Sequence, residues 1–344
     1  MSGHFYTRGG EQLSGSVIGK NGKSRKVTIK DAREHGWLPG VTTITGQCAK
    51  PGLERWLIGE HIRAAVDLGP PTVSADRHDG MLVESFKDYS DRVRDRAGRV
   101  GREARETGSE IHESLHRWFT DSEWRKEERD RADRTSGWKG TTVTEIIREL
   151  SEFIHEWQLM VEAQDMADPH MIKAINPNVP AWLHHLEDIT EVGFYREDGC
   201  SINASAIGDP EEAIWRSEDS CVHPMGYATR ADLWTEQGGG WLFDFKGVNT
   251  IETDATLVPY DEYLMQLAAT REAIRHTHGV SIPLEHCRII YFARDVLPEK
   301  ILTSNIARLG DHYPEKIEQA WEMFAGLHTF WCAKNNHRPG WVLE

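Results

Sequence analysis

The stretch GYATRADLWTEQGGGWLFDFKG, Gly226 to Gly247, constrains the fold more tightly than any other part of the chain. Strand residues alternate faces, so Asp244 and Lys246 of FDFKG project to one side while Phe243 and Phe245 project to the other. In the preceding run Arg230, Asp232 and Trp234 share one side, and Thr229, Ala231 and Leu233 the other. If the glycines at 238–240 close a hairpin, Asp232 comes within about a residue of facing Asp244. The phenylalanines then need a core beneath them, and the acids converge with an ammonium beside them. That arrangement fits a divalent cation, since Mg²⁺ binds through one or two carboxylates and keeps waters. Such a cation neutralises phosphate charge and acidifies its water, while a nearby lysine holds or deprotonates the nucleophile. A surface hairpin with an ordinary cross-strand Asp–Lys ion pair has the same spacing.

The rest of the chain supplies a setting for this pair. Residues 1–50 read as a β-rich entry segment, with Gly-rich turns and the β-branched run VTTIT, Val41 to Thr45. Residues 51–186 read as mainly helical. They hold a helix over 99–119 and then an insertion in which VTEIIRELSEFIHEWQLMVEA repeats its apolar residues at helical spacing. DPHMIKAINPNVPAW is a Pro-punctuated connector. From 187 to 300 TEVGFYRE reads as a strand ahead of the hairpin. DEYLMQLAATREAIRHTHG follows as a helix that Gly279 is suited to end, and CRIIYFAR as another strand. Residues 301–344 close the chain with the helix EKIEQAWEMFAGLHTFWCA. The order α, β, β, β, α, β predicts an α/β (α+β) domain, a mixed central sheet flanked by helices, with a helical insertion after the first helix.

GSEIHESLH, Gly108 to His116, contains His-Glu-x-x-His, the pattern by which a zinc peptidase puts two imidazoles on one helical face. In a chain with 17 histidines so short a pattern needs support from elsewhere. Val100, Ala104, Thr107, Ile111, Leu115 and Trp118 define a buried stripe. At about 100° per residue His112 lies near the edge of that stripe, whereas His116, roughly 140° from its centre, is expected toward solvent. The extended peptidase form needs glycine at 119 and histidine at 122, and Phe119 and Ser122 stand there. A zinc peptidase drawing its third ligand from a distant glutamate, such as Glu145 or Glu149, is the remote alternative.

Five scattered cysteines with no C-x-x-C pair argue against a disulfide framework, a zinc ribbon or an iron–sulfur cluster. No apolar run approaches the roughly 18 residues of a membrane span, and MSGHFYTRGG lacks a signal-peptide apolar region, so a cytoplasmic protein is expected. A net charge of −15 does not advertise nucleic-acid binding. A basic groove can nonetheless sit on an acidic body, and the densest arginine run is RVRDRAGRVGREAR, Arg92 to Arg105. A solvated helix face explains that run equally well.

His112 on a helix, then GYATRADLW, then FDFKG, then a helix carrying Gln266, resembles the RecB-like branch of the PD-(D/E)xK nucleases, and within it the phage exonucleases. The resemblance extends to VTTITGQCAKPGLERW and covers roughly residues 36–60, 100–119 and 188–294. It implies a restriction-endonuclease-like αβββαβ core. It also implies that Asp232, Asp244, the backbone carbonyl of Phe245 and the His112 nitrogen hold Mg²⁺ or Mn²⁺, and that Lys246 acts on the attacking water. Gln266 matches a glutamine that contacts DNA and the active site, and Glu191, on the expected first strand, stands where many members carry an acid near the metal. Arg102, Arg105 and Arg55 are candidates for the path of the DNA strand. The chain departs from the pattern in three places. Thr270 replaces a tyrosine often found after the glutamine, Gly40 stands where entry segments often carry serine, and the iron–sulfur cysteines of some members are absent. The implied activity is metal-dependent hydrolysis of DNA from the ends of linear molecules, in phage-type recombination, repair or processing. A structure-specific endonuclease of the same fold is the alternative. DNA is the implied partner, with a second copy of the chain or a recombination protein as further candidates, in the host cytoplasm if a phage encodes it.

Overall fold

The computed structural model describes residues 4–13, 16–18, 22–48, 51–71, 73–75, 81–127, 214–248, 259–293, 307–309 and 314–339. Contacts divide the chain into two compact units, one of residues 1–47 with 112–344 and the other of residues 48–111.

The first unit is built on a mixed sheet. Strands β7 (Arg216–His223), β8 (Tyr227–Thr235) and β9 (Trp241–Val248) pair antiparallel. β10 (Cys287–Ala293) joins β9 in parallel, and the three-residue β11 (Ala307–Leu309) pairs with β10 antiparallel. Each joint follows from local chemistry. His223-Pro224-Met225-Gly226 closes the β7–β8 turn, with the Gly226 amide donating to the His223 carbonyl at 2.9 Å and Gly226 at φ +91°. The glycines after Glu236 turn β8 into β9. Parallel strands cannot share a tight turn. The β9–β10 crossover therefore carries helix α5 (Asp261–His278), which has Asp261 and Glu262 in its first turn, Arg275, His276 and His278 in its last, and Gly279 as a left-handed cap. All seven residues of β10 are buried, as expected of a strand covered on both faces. Helix α6 (Pro314–Asn335) packs against α5. Trp234, Trp241, Tyr227 and Phe243 are fully buried, and each aromatic removed from water stabilises the unit by about 1.5–3 kcal/mol.

The described elements run α, β, β, β, α, β, but the first strand is RSEDSCVH. TEVGFYRE with its Glu191, the helix expected over VTEIIRELSEFIHEWQLMVEA and the connector after it lie outside the described residues. The helix expected over 99–119 is longer: α4 runs Phe86–Thr120. Its stripe is buried at Ile111, Leu115 and Trp118.

The N-terminal segment is less β-rich than its composition suggests. Its strands β1 (Phe5–Tyr6), β2 (Ser16–Ile18), β3 (Ser24–Lys26) and β4 (Leu38–Pro39) are two or three residues long, and α1 (Ile29–His35) lies among them. VTTIT forms a short helix, α2 (Val41–Thr45), not a strand. Burial overrides the β preference of the side chains. Gly40 caps the turn, its carbonyl accepting from the amides of Thr43 (2.9 Å) and Ile44 (3.2 Å). The i, i+3 spacing then sinks Val41 and Ile44 into contacts with α5 and α6. Gly40 has a reason of its own, since a Cβ there would lie 3.1 Å from the His4 carbonyl and 3.1 Å from the Tyr6 ring.

In the second unit, α3 (Pro51–Leu68), the hairpin of β5 (Val73–Ala75) and β6 (Met81–Val83), and α4 up to Ile111 form the described structure. The Tyr89 hydroxyl ties α4 to the Gly69 carbonyl at 2.8 Å. No helix of the described residues is long and apolar enough to cross a membrane.

Candidate active site

The register Leu233↔Phe243, carried one step further, sets Asp232 against Asp244 across the β8–β9 pair. Asp232 Oδ2 accepts the Phe245 amide at 2.8 Å, a bond that fixes the carboxylate on its strand. The contact that Phe245 makes to an acid of the site is thus through its N–H; its ring is buried, edge-on to His112 with centroids 6.1 Å apart. Lys246 Nζ lies 2.7 Å from Asp244 Oδ2 and donates to Gln266 Oε1 of α5 at 3.0 Å. The same ammonium sits over the Tyr263 ring, 5.2 Å from its centroid. Gln266 is held in turn by a 3.4 Å contact from its amide nitrogen to Glu262 Oε1. Strand alternation and one helical face therefore bring an acid, a lysine and a glutamine into a single chain of contacts.

His112 enters from α4. Its Nδ1 is 3.9 Å from Asp232 Oδ1 and 3.6 Å from Glu218 Oε1. Glu218 lies on β7 and pairs through its second oxygen with Arg230 of β8. Its backbone is left-handed, at φ +56°, a conformation that costs an L-residue roughly 1–2 kcal/mol. Ion contacts to both His112 and Arg230 engage the carboxylate that this bend presents. A nitrogen of His112 and an oxygen each from Glu218 and Asp232 lie within 4.8 Å of one another. One imidazole and two carboxylates are a donor set that Mn²⁺ accepts readily and Mg²⁺ accepts through its oxygens. These residues fit a divalent cation.

Electrostatics follow from burial and then from the partners. Burial works against the His112 cation, but Asp232 and then Glu218 outweigh it, so the imidazole holds its proton more tightly than usual. Burial likewise raises Glu218, yet His112 and Arg230 leave it below the ordinary carboxylate range. For Asp244 burial dominates: with Asp232 adding to it and Lys246 opposing, the carboxyl is pushed up to about 6. Burial disfavours the Lys246 ammonium, but Asp244 and Asp232 hold it and the net shift is upward. Lys246 is thus a fixed cation and hydrogen-bond donor in this setting rather than a neutral amine.

Comparison with protein-family models and with the curated proteins finds no match.

Of the residues singled out from sequence, His112, Asp232, Asp244, Phe245, Lys246 and Gln266 come together. Glu191 lies outside the described residues; within them Glu218 is the further acid beside His112 and Asp232. Arg55, Arg102 and Arg105 are exposed residues of the other unit, where Arg105 Nε donates to the Gly101 carbonyl at 3.0 Å. His116 departs from expectation. It is partly buried, and its Nδ1 is enclosed with no hydrogen-bond partner among the described residues. It joins no donor cluster among the described residues. The residues missed were Glu218, its partner Arg230, and Tyr263 beneath the lysine. A signal for Glu218 existed in HPMG, a turn whose preceding eight residues had to be a strand if GYATRADLW was one.

Proposed function

We propose that this chain is a metal-dependent deoxyribonuclease of the RecB-like PD-(D/E)xK kind, hydrolysing phosphodiester bonds from the ends of linear DNA. One observation carries the reading: five separate elements bring His112, Glu218 and Asp232 together on one side and Asp244, Lys246 and Gln266 on the other, with the Phe245 amide on Asp232 joining the two groups. The motif order read from sequence supports the same family. His112, Glu218, Asp232 and Asp244 would hold Mg²⁺ or Mn²⁺, which when bound supplies charge for the phosphate and acidifies a water.

The protein's own groups do the remaining work. Lys246, braced between Asp244 and Gln266, offers an N–H and a positive charge to the attacking water and to a phosphate oxygen. Gln266 orients that ammonium. Arg230 keeps Glu218 turned toward His112 and offers the one partly exposed guanidinium among these contacts. Such local cations are what allow a chain of net charge −15 to accept a polyanion.

The test is degradation of end-labelled linear duplex DNA in Mg²⁺, in Mn²⁺ and in excess chelator, by the wild type, Lys246→Ala and His112→Ala. The expected result is cation-dependent shortening that either substitution reduces by about 100-fold or more. Wild-type inactivity on duplex, single-stranded and nicked DNA would overturn the proposal, and nicking of closed circles would move it to an endonuclease.

A further inference from the structure

A second set of donors stands one residue beyond Glu218. Asp219 and Cys221 are two apart on β7, and His278 is the last residue of α5. A carboxylate oxygen, the thiol sulfur and an imidazole nitrogen from these three lie within 4.8 Å of one another. We propose that Asp219, Cys221 and His278 bind a zinc ion that ties strand β7 to the C-terminal end of α5.

Four features support the site. The His278 Nε2 and Asp219 Oδ2 atoms are 2.9 Å apart, yet Nε2 is buried with no aligned hydrogen bond among the described residues. The two atoms thus stand close enough to share one cation after a small outward shift. The Trp234 indole N–H donates to the same Asp219 oxygen at 3.0 Å, the kind of outer contact that fixes a ligating carboxylate. The position is at the negative end of the α5 dipole, which favours a cation. The donor set is sulfur, nitrogen and oxygen, which suits zinc and not magnesium. On binding, Sγ gives its proton to solvent and its lone pair to the metal, and water takes the fourth corner.

A neighbouring set, His223, Glu272 and His276, has similar spacing but the wrong protonation. The Met225 amide donates to His223 Nδ1 at 3.1 Å, which leaves that ring's proton on Nε2. Glu272 is already paired with Arg271 and Arg275. No zinc is assigned there.

The site is independent of the nuclease reading and is tested without an activity assay. In a chain carrying His112→Ala and Asp232→Asn, so that the candidate active site contributes no metal, zinc retained after gel filtration is counted by elemental analysis. About one equivalent is expected, falling more than about tenfold when Cys221→Ser or His278→Gln is added. Cobalt loaded into the wild-type chain should show a thiolate-to-cobalt charge-transfer band, and this needs no variant to fold. Retention of no zinc, retention unaffected by both substitutions, or a cobalt spectrum lacking the thiolate band would each overturn the proposal.

Discussion

Lys246 joins the acid and the glutamine of the candidate site. Its ammonium bridges Asp244 and Gln266 and rests on the Tyr263 ring, so a shorter side chain removes three contacts at once. Lys246→Ala is expected to lower the rate of DNA hydrolysis by about 100–1,000-fold with little change in DNA affinity, read from single-turnover kinetics. Glu218→Gln keeps the shape of the side chain but weakens the cation site, and should raise the Mg²⁺ needed for half-maximal rate by about 10–100-fold. His223 gives a residue-scale prediction about stability. Burial first, then the charges of His276, Arg275 and His328, push its pKa from 6.5 to about 3. The unfolded chain therefore takes up a proton that the folded chain refuses. Stability is fully present above about 6.5 and is lost as the pH falls toward 3, by at most about 1.4 kcal/mol per pH unit. His223→Phe, which keeps the stack on Tyr227, should flatten that part of a urea-denaturation profile measured from pH 7 to 4.

The elements were legible where side-chain pattern and burial agree. In β8 and β9 the alternation is strong enough to have placed Asp232, Asp244 and Lys246 together, and α5 announced both of its ends. Two elements were not legible, for different reasons. RSEDSCVH is polar and serine-rich, because it is an edge strand among the described residues and spends its side chains on Glu218 and Asp219, so β propensity did not single it out. VTTIT has the composition of a strand, and only the tertiary pocket between α5 and α6 makes it helical. That difference is testable. As a helix, α2 buries Ile44 and exposes Thr42, so Ile44→Ala should cost about 2–5 kcal/mol and Thr42→Ala within about 0.5 kcal/mol, by chemical denaturation. Equal costs would contradict the helix. The half-burial of His116 was not legible because a helical wheel drawn on one stripe carries no information about what packs around the rest of the helix.

At the scale of the whole molecule, an acidic chain is proposed to act on a polyanion, and the cations that permit this are local and partly spoken for. Binding should therefore depend on the bound divalent ion as much as on protein charge, and should weaken as monovalent salt rises. The unit of residues 1–47 and 112–344 holds His112, Glu218, Asp232, Asp244, Lys246 and Gln266, so the proposed activity is expected to reside in that unit's sheet and helices. The most direct measurement places end-labelled linear duplex and closed circular DNA of the same sequence in one tube with the wild type and Mg²⁺. The linear form should shorten from its ends while the circle persists, and chelator or Lys246→Ala should abolish the shortening. Linear DNA left intact by the wild type in both Mg²⁺ and Mn²⁺ would contradict the proposed activity.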